Sequence, residues 1–257
     1  MLLLVQFVYR LAFGMAAAMA VTSPRQVTSG YFRNNLYVLL GMTVLVALAA
    51  FAGVVEPALL PKWPAVAAAV LSYVGAACWL YEKSRAGIVV LVAIAVLTLI
   101  GALYAVPTTF AESAREPFWQ AAAYADAVAA GLLLGVTMAA MLLGHWYLNA
   151  PGMPMQPLRR LTLWLGAAVL LRTVVSAVGL WGFWNSGAVL EPAEQIMLAL
   201  RWLAGMGGTA VLVVMTWTTL KIPNTQAATG MLYVAVITTF LGELVGQLLS
   251  AGRLYPL

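Results

Sequence analysis

Apolar runs of about 20 residues recur along the whole chain, and this feature limits most narrowly what the chain can fold into. A run of that length, wound as an α-helix, spans the ~30 Å hydrocarbon core of a bilayer. Only 8% of the 257 residues are charged and 64% are hydrophobic, whereas a soluble domain carries about 25% charged residues. The sequence lacks the alternating segments of ~10 residues that build transmembrane β-barrels. It therefore predicts an all-α, polytopic transmembrane helical bundle.

Hydropathy and turn-forming residues divide the chain into about eight spans. The predicted ranges are 2–22, 36–55, 63–81, 86–106, 118–148, 160–183, 193–220 and 225–250. No connecting segment is long enough for a soluble domain, so residues 1–257 are predicted to form a single transmembrane domain. The first run has no basic region ahead of it and contains Arg10, which indicates a first helix rather than a cleaved signal peptide.

Lysine and arginine concentrate in the odd-numbered connecting segments. Seven lie there and three lie in the even-numbered segments and the C-terminal tail: Arg25, Arg33, Lys83, Arg85, Arg159, Arg160 and Lys221 against Lys62, Arg115 and Arg253. The positive-inside rule then predicts that the odd segments are cytoplasmic and that both termini lie outside. Because these basic residues sit at helix ends, the net charge of +5 does not indicate nucleic-acid binding. We expect the bacterial inner (cytoplasmic) membrane, with the outer face periplasmic in a Gram-negative cell.

Three arginines and two acids cannot be assigned to connecting segments or span ends and lie deeper inside the predicted spans: Arg10, Asp126, Arg172, Arg201 and Glu243. Such residues are rare in membrane spans and mark a functional site by default. A rise of ~1.5 Å per residue puts four of them ~10–13 Å below the outer face and Arg172 near the midplane. We therefore predict one cluster in the outer half of the bilayer, with Glu243 paired to Arg201 or Arg10. The alternative is a buried ion-pair network that only fixes helix registry.

Two pairs of small residues predict close helix packing beside these charges. Gly242 and Gly246 flank Glu243 four residues apart, and Ala204 and Gly208 have the same spacing after Arg201. Small residues at this spacing allow the backbones of membrane helices to approach each other. Side chains from several helices could then share one pocket.

The only histidine, His145, lies in the stretch "GHWYLN" at the end of the fifth predicted span. One histidine cannot ligate a haem through both axial positions, and no haem or metal is expected. The neighbouring Trp146 and Tyr147 are typical of the aromatic belt at a membrane interface. We predict an interfacial histidine bonded to backbone or loop groups, with a role in cytoplasmic proton transfer as the alternative.

The last predicted span closes with "GELVGQLLSAGRLY", residues 242–255. This stretch, the eight spans, the external termini and the polar cluster toward the outer face together resemble the quinol-interacting membrane subunits of the NrfD/DmsC type. Subunits of that type occur with molybdopterin and iron–sulfur oxidoreductases. The resemblance implies a quinone headgroup site near the outer face that includes Glu243 and Gln247, no haem, and an iron–sulfur partner subunit docked at that face.

The leading functional hypothesis is a membrane subunit that binds quinol and passes its electrons to a partner. Oxidation of a quinol releases two protons, and Glu243 and Asp126 are the predicted catalytic acceptors. The predicted headgroup-binding side chains are Gln247, Arg201, Arg172, Arg10 and Tyr124, with Arg172 and Arg201 holding the carboxylates ionised. Alone the chain is expected to be non-catalytic, and its expected partners are lipid and other subunits of a membrane complex.

Two other functions stay open at this point. One is a structural or assembly subunit of a membrane complex, for which short loops suffice. The other is a transporter for a small anion or acid, in which the excess arginine binds the cargo. The sequence contains neither an inverted repeat nor a pair of interrupted helices, features that many secondary transporters share.

Overall fold

A computed structural model describes residues 1–53, 62–106, 117–150, 152–222, 224–251, 253 and 255–257. These residues form helices connected by turns, with no strand among them. Eight helices are long and apolar enough to cross a membrane: α1 Leu2–Ala20, α2 Ser29–Phe51, α3 Lys62–Leu80, α4 Ser84–Tyr104, α5 Pro117–Asn149, α6 Gln156–Asn185, α7 Pro192–Lys221 and α8 Thr225–Ser250. The prediction of an all-α transmembrane bundle with eight spans is confirmed, whereas the external position of the termini stays a prediction.

Two helices begin earlier than hydropathy predicts. Helix α2 starts at Ser29 rather than at 36, and α6 starts at Gln156 rather than at 160. The added turns carry polar side chains such as Arg33 and Arg159, which lower the local hydropathy. A helix can continue past the hydrocarbon core into the interface, where such side chains reach water or backbone carbonyls.

The eight helices form two groups of four with the same internal arrangement. In the first group, α1 packs against α2 and α4, and α3 closes the ring between them. In the second group, α5 packs against α6 and α8, and α7 closes the ring. The two groups meet mainly where α1 packs on α5. Because the number of spans is even, α1 begins and α8 ends at the same face, which we call the terminal face.

Glycines bring α1 and α5 into backbone contact. A Cβ atom placed on Gly14 would lie 1.8 Å from the carbonyl oxygen of Gly131, and one on Gly135 would lie 2.0 Å from the carbonyl carbon of Gly14. No side chain larger than hydrogen fits such a crossing without moving the backbones apart. The junction between the two groups therefore depends on glycine at these three positions.

Helix α7 is interrupted by a π-helical segment, Arg201–Gly208, between two α-helical parts. In this segment, α7 and α8 approach each other at two glycines. A Cβ atom placed on Gly205 would lie only 2.6 Å from the Cα atom of Gly242 on α8. The predicted close packing at Gly242 is thus confirmed, but its partner is Gly205 rather than Ala204 or Gly208. The wider winding of the π-helix, with i→i+5 hydrogen bonds, changes which residues face α8.

Candidate functional site

The five ionisable residues predicted inside the spans come together in the structure, and we call them the charge cluster. Each helix of the second group contributes one residue and α1 contributes the fifth: Asp126 from α5, Arg172 from α6, Arg201 from α7, Glu243 from α8 and Arg10 from α1. All five side chains are buried in the bundle. Four of them lie within about 15 Å of the terminal-face ends of their helices at ~1.5 Å per residue, and Arg172 lies deeper.

Four members of the charge cluster form one alternating chain of ion pairs. The carboxylate of Asp126 accepts a hydrogen bond from Nη1 of Arg172 at 2.5 Å, and its other oxygen lies 3.1 Å from Nη1 of Arg10. The Arg10 contact lacks hydrogen-bond geometry. On the other side, Nε of Arg172 donates to Oε1 of Glu243 at 2.7 Å. Arg172 therefore joins the two carboxylates, and Asp126 joins two arginines.

The partner of Glu243 differs from the predicted one. The prediction that Glu243 is buried and paired with an arginine is confirmed, because its exposed fraction is 2%. Its partner, however, is Arg172, and the prediction of Arg201 or Arg10 is wrong. Depth along each helix was the basis of that choice, and depth places Arg172 too far down. The long arginine side chain spans the remaining difference in height from α6 to α8.

Arg201 stands apart from the chain of ion pairs. Its Nη2 donates to the hydroxyl of Ser176 on α6 at 2.6 Å, while Nε and Nη1 have no acceptor among the described residues. The guanidinium of Arg201 lies against the backbone of α8 at Gly246. A Cβ atom placed on Gly246 would lie only 1.8 Å from Nη1 of Arg201. The absence of a side chain at Gly246 thus leaves room for a buried arginine.

A small cavity of about 30 Å³ lies between the charge cluster and the terminal face. Its lining includes Gln6, Arg10, Asp126, Gln247, Ala251 and Pro256. At ~10–15 Å³ for each water position, the cavity holds about two or three waters. Both amide atoms of Gln247 lack a hydrogen-bond partner among the described residues. The cavity therefore presents unfilled polar groups beside the ion pairs.

The last described residues, 255–257, fold back over the terminal face, and we call them the closing segment. Tyr255 packs edge-on against Trp119 at 4.7 Å between ring centroids. The carbonyl of Pro256 fits against Gly179, where a Cβ atom would lie 1.7 Å from it, and the amide of Leu257 donates to the hydroxyl of Ser250 at 2.9 Å. Leu257 is completely buried. The closing segment thus forms part of the cavity wall.

Tyr124 is not brought to the charge cluster. It lies two residues before Asp126 on α5 and therefore on a different side of the helix. Its exposed fraction is 41%, and it is not among the side chains around the cavity. The structure therefore separates Tyr124 from the charge cluster, because nearness in sequence does not put residues i and i+2 on one helix face.

His145 lies near the opposite face, ~28 Å from Asp126 along α5 at ~1.5 Å per residue. Its ring is exposed, and Nδ1 is 3.1 Å from the hydroxyl of Tyr233. Asn149, one turn later, lies 3.4 Å from Nε2. The partners are side chains on α5 and α8 rather than the predicted backbone or loop groups.

Several polar side chains around the charge cluster were not predicted from the sequence. Gln6 precedes Arg10 by one turn and donates to the carbonyl of Ala105, and Ser176 follows Arg172 by one turn. A hydroxyl cluster of Thr209, Thr238 and Thr239 joins α7 to α8 with oxygen distances of 2.9 and 3.1 Å. The spacing i±4 from a buried charge would have identified Gln6 and Ser176, because residues four apart share a helix face.

No known protein family, curated protein or solved structure matches this chain.

Proposed function

We propose that this chain is the membrane subunit of a respiratory-type oxidoreductase and binds the headgroup of a quinol at the charge cluster, from the terminal face. The observation that carries the proposal is the set of unfilled polar groups beside the cavity. On the cavity wall, Gln247 offers an amide donor and acceptor and Arg10 offers guanidinium N–H groups. Oε2 of Glu243, one turn before Gln247 on α8, also has no partner among the described residues. A quinol presents two hydroxyl groups, which need such partners once they leave water.

The carboxylates fit the proton chemistry of quinol oxidation. A quinol that becomes a quinone loses two electrons and two protons. In this proposal the protons pass to Asp126 and Glu243 or to water in the cavity, and the electrons pass to an iron–sulfur centre of a partner subunit at the terminal face. Arg10 and Arg172 lie against the carboxylates that accept the protons in this proposal. On its own, the chain supplies binding and proton transfer but no electron acceptor.

The cavity is smaller than a quinol headgroup, so binding requires part of its wall to move. Pro256 and Ala251 form the side toward the terminal face. The closing segment and the end of α8 belong to this wall and are joined by the Leu257 to Ser250 hydrogen bond. We propose that the headgroup displaces the closing segment and the cavity water. The cavity that holds a quinol headgroup would then be larger than the cavity in the unbound protein.

Binding of a short-chain quinone to the purified protein tests the proposal. Intrinsic tryptophan fluorescence in detergent follows a titration with ubiquinone-1 or menaquinone-1. We expect saturable binding that weakens about 5–10-fold in Gln247→Leu, the cost of one lost hydrogen bond. The matched control is Gln195→Leu, an exposed glutamine on α7, which should bind as the wild type does.

The same titration separates quinol binding from a purely structural role. If the charge cluster only fixes helix registry, substitutions there lower the melting temperature and no saturable quinone binding is seen in any variant. Quinone binding that is unchanged in Gln247→Leu would also contradict the proposed site. Extraction of the purified wild type should recover endogenous quinone, and Gln247→Leu should retain less of it.

A further inference from the structure

A larger pocket lies at the face opposite the terminal face, and we call it the interfacial pocket. Its volume is about 390 Å³, and it is lined by residues 24–29 and by Trp79, Glu82 and Ser84. These residues come from the end of α3, the start of α4 and the segment that leads into α2. Because helix ends surround it, the pocket lies at the level of lipid headgroups rather than in the hydrocarbon core.

Two membrane-spanning helices begin at the interfacial pocket. Helix α2 begins with Ser29 and α4 begins with Ser84, and neither helix has a hydrogen-bonded side-chain cap. Both serines line the pocket, so the amino ends of two helices meet at one void. The first N–H groups of a helix have no partner within it, and with the helix dipole they attract an anion.

Trp79 packs between these two helix ends. Its ring stacks on Phe32, one turn after Ser29 on α2, with 3.9 Å between the ring centroids. Its Nε1 lies against Gly87, one turn after Ser84 on α4, where a Cβ atom would be 2.5 Å away. Trp79 is 2% exposed and lines the pocket, yet its indole N–H has no acceptor among the described residues. The wall between the two helix ends therefore contains a buried donor without a partner.

Arg25 and Glu82 give the interfacial pocket one charge of each sign. Both side chains are exposed, and neither forms an ion pair with a described residue. Guanidinium groups and helix amino ends bind phosphate oxygens, whereas a carboxylate repels phosphate and accepts hydrogen bonds from an ammonium group. A phosphate alone would leave Glu82 unfavourably placed. A ligand that carries both a phosphate and a primary ammonium group suits both charges.

Glu82 occupies a backbone position that favours glycine. Its φ is +57°, the only positive φ among the described residues other than glycine. It follows the end of α3, where the N–H of Lys83 donates to the carbonyl of Cys78 at 2.8 Å. Glycine is the usual residue in a left-handed conformation at this place in a helix end. The turn therefore does not require glutamate, and glycine can replace it without disturbing the fold.

We propose that the interfacial pocket binds the phosphoethanolamine headgroup of a membrane lipid. In this proposal the phosphate binds Arg25, the amino ends of α2 and α4 and the indole N–H of Trp79, and the ammonium group binds Glu82. A lipid is the favoured source because the pocket lies at the ends of membrane-spanning helices, where headgroups are concentrated. The proposal does not depend on quinol binding, which concerns the opposite end of the bundle.

Native mass spectrometry of the purified wild type in detergent tests this lipid site by counting bound lipids. The probes are dioleoyl phosphatidylethanolamine, phosphatidylcholine and phosphatidylglycerol. Phosphatidylcholine keeps the phosphate and the positive charge but has no ammonium N–H, and phosphatidylglycerol has no positive charge. We expect one phosphatidylethanolamine per chain, bound about tenfold more tightly than phosphatidylglycerol, which corresponds to one charge-assisted hydrogen bond. Phosphatidylcholine should lie between the two.

Glu82→Gly is the most informative variant because glycine suits the turn. We expect its melting temperature to equal or exceed that of the wild type, and its preference for phosphatidylethanolamine to disappear. Arg25→Gln should weaken binding of all three lipids about tenfold. The matched control is Arg160→Gln, an exposed arginine at the start of α6 outside the pocket, which should bind as the wild type does. Trp79→Phe keeps an aromatic ring beside Phe32 but removes the indole N–H, and it should also bind more weakly.

Several outcomes would overturn the proposal. Equal binding of phosphatidylethanolamine and phosphatidylglycerol by the wild type is one, and a preference that persists in Glu82→Gly is another. Equal losses in Arg25→Gln and Arg160→Gln would indicate attraction to any basic residue at this face. Free O-phosphoethanolamine that binds as tightly as the lipid would make a soluble phosphate ester the ligand. Quinone titration of Glu82→Gly should match the wild type, which keeps this test separate from that of the proposed function.

Discussion

At the residue scale, the two buried carboxylates are not equivalent although both are paired. Asp126 contacts two arginines, Arg10 and Arg172, whereas Glu243 contacts only Arg172. Removal of one partner from a buried ion pair costs more than the pair contributes, because the other charge is left without compensation. The loss of folding free energy on replacing each carboxylate should therefore increase with the number of arginines that lose it as a partner.

We expect Asp126→Asn to lower the free energy of unfolding by ~3–5 kcal/mol, the cost of a broken buried pair. Glu243→Gln should cost less, because one arginine rather than two loses its carboxylate and Arg172 keeps Asp126. Denaturant unfolding in mild detergent, followed by tryptophan fluorescence, measures both. Glu194→Gln is the control, since it breaks the partly exposed pair with Arg253 and should cost much less than either buried substitution. An equal or larger loss in Glu243→Gln would contradict this account.

The sequence predicted which residues form the charge cluster but not how they pair. Intramembrane charge identified all five side chains, and depth along the helices placed four of them in one layer with Arg172 deeper. The pairing of Glu243 with Arg172 depends on how α6 lies relative to α8, and hydropathy contains no information about which helices are neighbours. The free donors of Arg201 likewise became apparent only from the packing.

At the scale of helices, the closest contacts in the bundle are made by glycines, and their surroundings differ sharply. Gly135 on α5 faces the backbone of Gly14 on α1, whereas Gly41 on α2 has open space around it. An alanine methyl group replaces hydrogen in both cases. At Gly135 the methyl group would clash with backbone atoms of α1, which cannot move away as a side chain can. At Gly41 it would have no atom of the described chain within 4 Å.

We expect Gly135→Ala to lower the melting temperature markedly and to weaken the contact between the two groups of four helices. Gly41→Ala should be neutral or should stabilise α2 by up to ~1 kcal/mol, the usual difference between glycine and alanine within a helix. Parallel melting curves of the two purified variants make the comparison. A Gly135→Ala protein as stable as Gly41→Ala would show that α1 and α5 do not cross where the structure has them.

Helix existence was predictable from sequence, whereas helix ends and the interruption of α7 were not. All eight spans follow from apolar length, the strongest signal in such a chain. The early start of α2 was missed because interfacial turns are polar. The π-helical segment was missed because Arg201–Gly208 has no sequence pattern that separates π from α winding. Of its three glycines, only Gly208 was interpreted, as a packing position paired with Ala204.

At the scale of the whole molecule, charge is distributed unevenly between the two faces and the two groups of helices. Basic residues concentrate at the face opposite the terminal face, and the charge cluster lies in the half of the bundle near the terminal face. The first group contributes only Arg10 to the charge cluster. The positive-inside rule then predicts that the closing segment and the cavity face the outside of the cell.

Cysteine labelling tests this orientation in intact cells. In a Cys78→Ser background, we expect Ala188→Cys, between α6 and α7, to react with a membrane-impermeant maleimide. Gln156→Cys, at the start of α6, should react only after the cells are opened. Both positions are exposed in the structure. Labelling of Gln156→Cys from outside would reverse the orientation and place the cavity at the cytoplasmic face. The predicted external residues 112–116 lie outside the described ranges.

The alternating ion pairs also constrain how the chain enters the membrane during synthesis. Arg10 is made first and has no carboxylate until Asp126 follows on α5, and Arg172 gains its second carboxylate only when α8 delivers Glu243. Until then, the translocon and nearby lipid headgroups must accommodate the unpaired arginines. Placing one such charge at the centre of a membrane helix costs ~2.5–3.5 kcal/mol on insertion scales. A nascent chain stopped before α8 would therefore expose an incompletely neutralised arginine to membrane proteases, which could distinguish finished from unfinished copies by that charge.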